Sequence, residues 1–253
     1  MNDLQLIDET EPKPWRFWAT IGFSVIIFAV FSALQFLVLM AFLGFEKTQN
    51  PQVDPDALVQ SLSSNGFCLA LSAILSGLVC TPLTLLIAKL RKVYPLKEYL
   101  ALKGVSKREW LKWLLYLAIF LVASDILTLI LNRPIVPPFM ADAYRTATFV
   151  PVLYIAIVIV APIFEEIFFR GFLFEGVRHS RLGPGGAIGM TSLVWAIIHL
   201  QYDTYGVSTV FALGLLFGFA RLKSESVYVP IVMHALASLV AMIETAIYLG
   251  FAT

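Results

Sequence analysis

The chain has 253 residues, of which 59% are hydrophobic and 14% charged, with a net charge of +1 and a mean hydropathy of +0.82. A soluble domain is about half apolar and about a quarter charged, so this much charge cannot cover a water-facing surface, and disordered chains are too poor in apolar residues to resemble it. A near-neutral balance supplies no field to recruit nucleic acid or acidic partners. The expected fold is all-α: a polytopic transmembrane helix bundle, one integral membrane domain over residues 1–253, surrounded by the lipid bilayer.

Seven apolar runs follow one another along the chain. Residues 17–44 carry no charge and exceed the roughly 20 residues that a bilayer core needs. That run is too long for a signal-peptide core and no small-residue cleavage site follows it, so it is expected to be a retained first span. Residues 66–88 form the second run. Residues 113–131 form the third, interrupted by Asp125. Residues 149–164 form the fourth, which ends on Glu165 and Glu166. Residues 184–202 form the fifth, 204–220 the sixth and 226–243 the seventh, with His199 and His234 inside the fifth and seventh. There is no internal repeat and no low-complexity tract.

Fifteen of the 18 lysines and arginines fall before the first run, between the second and third, or after the fourth and sixth; only Lys47, Arg133 and Arg145 fall elsewhere. The positive-inside rule then puts the N-terminus in the cytoplasm, and seven alternating spans leave the C-terminus outside. The basic stretch 89–112 also holds Trp110 and Trp113. It reads as an ordinary positive-inside loop or as an amphipathic segment on the cytoplasmic leaflet. Cys68 and Cys80 lie twelve residues apart in one helical run, about 18 Å of axial rise, which is beyond disulfide reach.

In hydrocarbon each ionisable group is a site hypothesis. In Glu165-Glu166-x-x-x-Arg170, Glu166 and Arg170 are i and i+4 on a helix and can pair, while Glu165 points about 100° away. One carboxylate is then neutralised by its partner and its neighbour stays free for chemistry; a helix end with both groups solvated fits the spacing equally. Pro162, three residues earlier, removes a backbone donor and can kink the helix. His234 and Ser238 are also i and i+4, able to donate two hydrogen bonds to one oxygen as an oxyanion site requires. Asp125 is expected to be hydrogen-bonded within the bundle and Glu244 to lie near the outer end of the last helix. There is no H-E-x-x-H pair and no G-x-S-x-G elbow. Carboxylates and imidazoles can activate water directly, or two imidazoles and a carboxylate (Glu165, His199, His234) can hold a metal; the spacing leaves both open. Gly214-x-x-x-Gly218 is a close-packing motif, expected inside the fold, and Gly183-Pro184-Gly185-Gly186 reads as a turn.

These motifs, in this order, resemble the CPBP family of CAAX-processing and bacteriocin-processing (Abi) membrane proteases, including its type II CAAX prenyl endopeptidases. Glu165-Glu166-x-x-x-Arg170 resembles the family's E-E-x-x-x-R. Trp195-x-x-x-His199 is similar to its F-x-x-x-H, and His234-x-x-x-Ser238 to its H-x-x-x-N or D. Phe211-x-x-Gly214-x-x-x-Gly218-x-x-Arg221 looks like the stretch between the last two. The resemblance covers residues 162–238, with the catalytic helix core expected over 149–243.

What the resemblance implies is an intramembrane endopeptidase acting on membrane-associated peptides or proteins, prenylated CAAX-type ones among them. Glu165 and His199 would activate water, His234 and Ser238 would form the oxyanion hole, and Glu166 and Arg170 would support the site. Members have been described as zinc-dependent and as metal-free glutamate proteases, so zinc is left open and no cofactor is assigned. A bacterial plasma membrane is the expected location, with the site toward the cytoplasmic side. Two departures stand out: Trp195 for the usual Phe, and Ser238, a single hydroxyl of shorter reach, for the usual Asn or Asp. The second favours the alternative, a non-catalytic membrane scaffold or a bacteriocin-immunity protein. A proton-coupled transporter is a third reading, disfavoured by the lack of a repeat.

Overall fold

A computed structural model describes residues 12–251. Among them the structure is helical throughout. The order is α1 (Phe17–Gln49), α2 (Pro55–Ser63), α3 (Gly66–Leu90), α4 (Leu96–Tyr99), α5 (Lys107–Ile130), α6 (Pro138–Thr146), then one continuous helix α7 (Val150–Arg178), α8 (Gly183–Ile197), α9 (Thr204–Ser224) and α10 (Tyr228–Phe251). Six of these, α1, α3, α5, α7, α9 and α10, are long and apolar enough to cross a bilayer. The polytopic helical class expected from composition is the class observed.

The fifth apolar run differs from expectation. It folds as the 15-residue α8, about 22 Å long, against a hydrocarbon core of roughly 30 Å. Gly183 to Gly186 are not a free turn: α8 starts there, with Gly183 at φ +61° and Pro184 in the first turn, where a missing N–H costs nothing. The fourth run differs in the other direction. α7 continues past Glu165 to Arg178, which places the two glutamates in mid-helix.

Contacts define two ends. At one, Trp15 donates to the Ile87 carbonyl (3.0 Å) and Arg91 to that of Lys13 (3.1 Å), Lys103 pairs with Glu225 (2.8 Å), and the Val227 amide donates to the Ala101 carbonyl. This is the basic end. At the other, the Gly66 amide donates to Thr146 (2.8 Å), Arg133 pairs with Asp203, and Phe139 meets Tyr202 edge-on. α8 runs from the basic end to the other end, so the chain reverses direction at each apolar run, of which six are long enough to cross a bilayer. Arg170 leaves the basic tally, because it is fully buried.

The basic stretch is not an amphipathic helix lying on a surface. Only Leu96–Tyr99 is helical before α5, and Tyr99 and Leu100 are fully buried, Tyr99 stacking on Phe172. Tyr94 donates to Glu175, which also receives Arg178 and Arg221. Burial, and the Glu175 carboxylate beside it, push the Tyr94 phenol up. The segment is thus folded into the basic end of the bundle as a plug.

Glycines set the helix spacing around the site. A Cβ at Gly218 would sit 3.0 Å from Ile188 Cγ2, and one at Gly214 would sit 3.1 Å from Trp195 Cε3. The small-x-x-x-small motif therefore presses α9 onto α8 inside the fold, as the close-packing reading requires. Cys68 and Cys80 are buried free thiols.

Candidate active site

The site is built on the irregular middle of α7. Ile155–Val160 and Ile167–Leu173 are wide π turns flanking the α-helical Ala161–Glu166. Pro162 explains the first: it has no N–H and its ring crowds the carbonyl four residues back, and a wider turn relieves that clash. The second begins directly after Glu166 and carries Arg170. Widened turns of this kind occur often at functional sites.

Glu166 and Arg170 are both fully buried and paired at 3.0 Å. The reading of these groups as a solvated helix end is therefore excluded. Arg170 also donates to the Gly214 carbonyl (3.1 Å) and lies over the Trp195 ring at 4.7 Å and the Phe217 ring at 5.6 Å. The same Glu166 oxygen contacts His234 Nδ1 at 2.9 Å. A carboxylate only accepts, so Nδ1 carries the proton. In the neutral ring Nε2 is then an acceptor, and it donates only when the ring is doubly protonated. Glu166 Oε2 and Arg170 Nε have no partner among the described residues.

Glu165 faces a different neighbour, as the 100° offset demands. Trp195 Nε1 donates to its Oε2 at 2.5 Å. His199 lies just past the end of α8, and its Nδ1 sits 2.7 Å from the Trp195 carbonyl. That oxygen is also only an acceptor, so Nδ1–H donates and Nε2 presents a lone pair. The indole of Trp195 meets His199 edge-on at 5.0 Å and His234 at 5.2 Å. One buried side chain on α8 thus gathers Glu165 and Arg170 from α7, His234 from α10 and His199 from the turn after α8. Ser238 is half-buried on α10, one turn beyond His234, and among the described residues no hydrogen bond engages its hydroxyl. Asp125 and Glu244 lie apart from this group, close enough for their charges to interact.

Among the described residues no group of three or more His, Cys, Asp or Glu side chains is placed to hold a metal ion. Glu165, His199 and His234 do not form such a group as placed, so the residues present do not fit a three-ligand zinc centre.

Residues 147–240 match the family model of the Rce1-like type II CAAX prenyl endopeptidases. This segment is similar to that family. It covers under half of the chain, and it includes every residue of the cluster around Trp195. No curated protein and no solved structure matches the chain.

The sequence missed the part Trp195 plays. Its indole counted there only as a departure from the usual phenyl ring. The available signal was chemical: a tryptophan N–H in an apolar helix needs an acceptor, and Glu165 is the nearby carboxylate left over by the Glu166–Arg170 pair. Gly214 was read for its missing side chain, whereas its carbonyl also receives Arg170.

Proposed function

We propose that the chain is an intramembrane endopeptidase in which Glu165 and His199 activate the attacking water. The observation that carries this reading is the convergence on Trp195 of two imidazoles and a carboxylate that is not consumed by an ion pair. Glu165 Oε1 and His199 Nε2 are the available bases. A water between them gives up a proton as its oxygen attacks the peptide carbonyl carbon. The carbonyl π electrons move to oxygen, and the oxyanion receives a hydrogen bond from the Ser238 hydroxyl and from doubly protonated His234 Nε2. When the tetrahedral intermediate collapses, the C–N bond breaks and the abstracted proton passes to the leaving amine. Glu166, itself paired with Arg170, accepts from His234 Nδ1 and orients the imidazole without entering the chemistry. Membrane-associated peptides and proteins, prenylated CAAX-type ones included, are the proposed substrates, and a bacterial plasma membrane is the proposed location.

The test compares the purified protein with Glu165→Ala on a fluorogenic prenylated CAAX-type peptide, with and without chelator. Cleavage that falls at least a hundredfold in the variant is the expected result, unchanged by chelator in the wild type. Equal cleavage by both proteins would overturn the role of Glu165. Ser238 supports a second reading, a peptide-binding scaffold or immunity protein, since its unengaged hydroxyl reaches less far than an amide; that reading requires function to survive Glu165→Ala.

A further inference from the structure

At the basic end α1 packs on the last turn of α7, so closely that a Cβ at Gly176 would collide with Thr20. Beside this contact lies a cavity of about 550 Å³. Phe17 and Trp18 line it from the first turn of α1, and His179, Ser180, Arg181 and Leu182 line it from the turn between α7 and α8. Small-ligand pockets span roughly 300–1,000 Å³. Much of the lining is apolar surface left bare: Trp18 is 79% exposed and Leu182 51%. Two of the polar side chains are already committed, since His179 Nδ1 donates to the Glu175 carbonyl at 3.0 Å and the Ser180 hydroxyl to the Val177 carbonyl at 2.7 Å. Arg181 is exposed. Among the described residues neither its guanidinium nor the Trp18 indole N–H has a hydrogen-bond acceptor. No carboxylate lines the cavity. Glu175, one turn before His179, is buried and receives Arg178 and Arg221. The cavity thus holds an uncompensated positive charge and two free donors beside exposed aromatic and aliphatic surface.

We propose that this cavity binds one anionic phospholipid, with its phosphate on the Arg181 guanidinium and the Trp18 N–H and its acyl chains along Trp18, Phe17 and Leu182. Charge selects the headgroup. A zwitterionic lipid brings an ammonium group that finds no carboxylate here, whereas an anionic one answers Arg181, and the exposed Arg16 at the start of α1 adds a second cation. The apolar lining selects a lipid over a soluble phosphate compound, which would leave the indole and Leu182 uncovered. Depth agrees with both. Arg16 and Trp18 flank the start of the first span, where interfacial tryptophans sit at headgroup level, and basic pockets between helices at the cytoplasmic side hold anionic headgroups. The bound lipid ties α1 to the turn from which α8 starts. The proposal is independent of the peptidase reading, because none of the lining residues belongs to the cluster around Trp195.

Contact quenching tests it on the full-length chain in phosphatidylcholine nanodiscs that carry either brominated phosphatidylglycerol or brominated phosphatidylcholine. Bromine quenches a tryptophan that it touches, and the difference between wild type and Trp18→Phe isolates the Trp18 signal among the five tryptophans. Half-quenching of Trp18 is expected at a mole fraction of brominated phosphatidylglycerol about fivefold lower than of brominated phosphatidylcholine, the worth of one cation at an anionic headgroup. Arg181→Gln should remove this preference. Its side chain is exposed and unpaired, so an unchanged melting temperature shows that the variant is folded. Lys223→Gln deletes another exposed cation at the basic end, outside the cavity, and should keep the preference. Equal quenching of wild type by the two lipids overturns the anionic assignment. Equal losses in Arg181→Gln and Lys223→Gln overturn the site, since general surface charge then suffices. Relief of the quenching by inorganic phosphate, but not by chloride at the same ionic strength, overturns the lipid in favour of a soluble phosphate ligand.

Discussion

Replacing Arg170 by Met isolates the energetics of the charged half of the site. The change leaves the Glu166 carboxylate fully buried with His234 as its remaining partner. It also frees the Gly214 carbonyl and removes the cation over Trp195. Breaking a buried ion pair from one side costs about 3–5 kcal/mol. The exposed Lys103–Glu225 pair is a built-in control. It has a similar distance of 2.8 Å, but its side chains are 58% and 66% exposed, and such pairs contribute at most about 1 kcal/mol. Arg170→Met should therefore lower the unfolding free energy of the purified protein in detergent by several kcal/mol, and Lys103→Ala by no more than about 1 kcal/mol. The double variant Glu166→Met/Arg170→Met should be more stable than Arg170→Met alone. It removes two polar atoms, Glu166 Oε2 and Arg170 Nε, that already lack partners, each a desolvation penalty of about 1–3 kcal/mol. Reversible denaturant titration, followed by tryptophan fluorescence, measures all three. Arg170→Met within 1 kcal/mol of wild type, or a double variant as unstable as the sum of the singles, would refute the reasoning.

Three further outcomes follow from the geometry. Trp195→Phe keeps the ring that gathers the histidines but deletes the donor to Glu165. A hydrogen bond to a charged group is worth about 1.5–3 kcal/mol, and water can replace part of it at a half-buried carboxylate. A roughly tenfold fall in kcat with KM little changed is expected from initial-rate measurements, and a wild-type kcat in a folded variant would contradict it. Gly218→Leu drives a side chain into Ile188, where even a Cβ would sit at 3.0 Å. Overpacking should lower stability by about 1–3 kcal/mol, read as a lower melting temperature, while Gly189→Ala, with open space around its Cβ, should leave it unchanged. Ser238→Asn extends the donor toward the oxyanion and should raise kcat, since loss of one such donor costs roughly 10²–10³ in rate; a slower enzyme would show that Ser238 does not face the reacting carbonyl.

How much of this was legible depends on what each signal measures. Apolar runs report burial in lipid, so every long helix was visible, and charge bias along the chain gave the alternation. Run length does not report where a helix ends once a charged pair is buried. The fourth run therefore stopped at Glu165 in the sequence, whereas α7 continues to Arg178 because Arg170 and Glu175 have buried partners. The short helices α2 and α6 lie outside the apolar runs and had only local marks, a proline in the first turn of each. The i, i+4 spacing gave the Glu166–Arg170 pair correctly. It could not give the His234–Glu166 contact, which joins residues on different helices. Nor could it show that residues 94–103 fold inward, because a lysine-bearing stretch reads the same whether its tyrosines face water or a core.

The neighbouring carboxylates show how one short motif divides its labour. Side by side in an apolar helix, Glu165 and Glu166 would repel, and each would demand compensation. A helix sends them about 100° apart, so they meet different partners. Glu166 receives a full positive charge from Arg170 and an imidazole N–H from His234, which satisfies its charge and fixes His234 with Nε2 turned away from it. Glu165 receives one neutral donor, the Trp195 indole, which orients the carboxylate without cancelling its charge. The first carboxylate is thereby spent on structure, and the second, half-buried, is the one proposed as the base. Swapping the donors should separate the two roles. Trp195→Arg would neutralise Glu165 in the way Arg170 neutralises Glu166. It should abolish peptide cleavage while the protein still binds uncleaved peptide in a fluorescence-polarisation assay. Cleavage that survived the swap would mean that Glu165 is not the base.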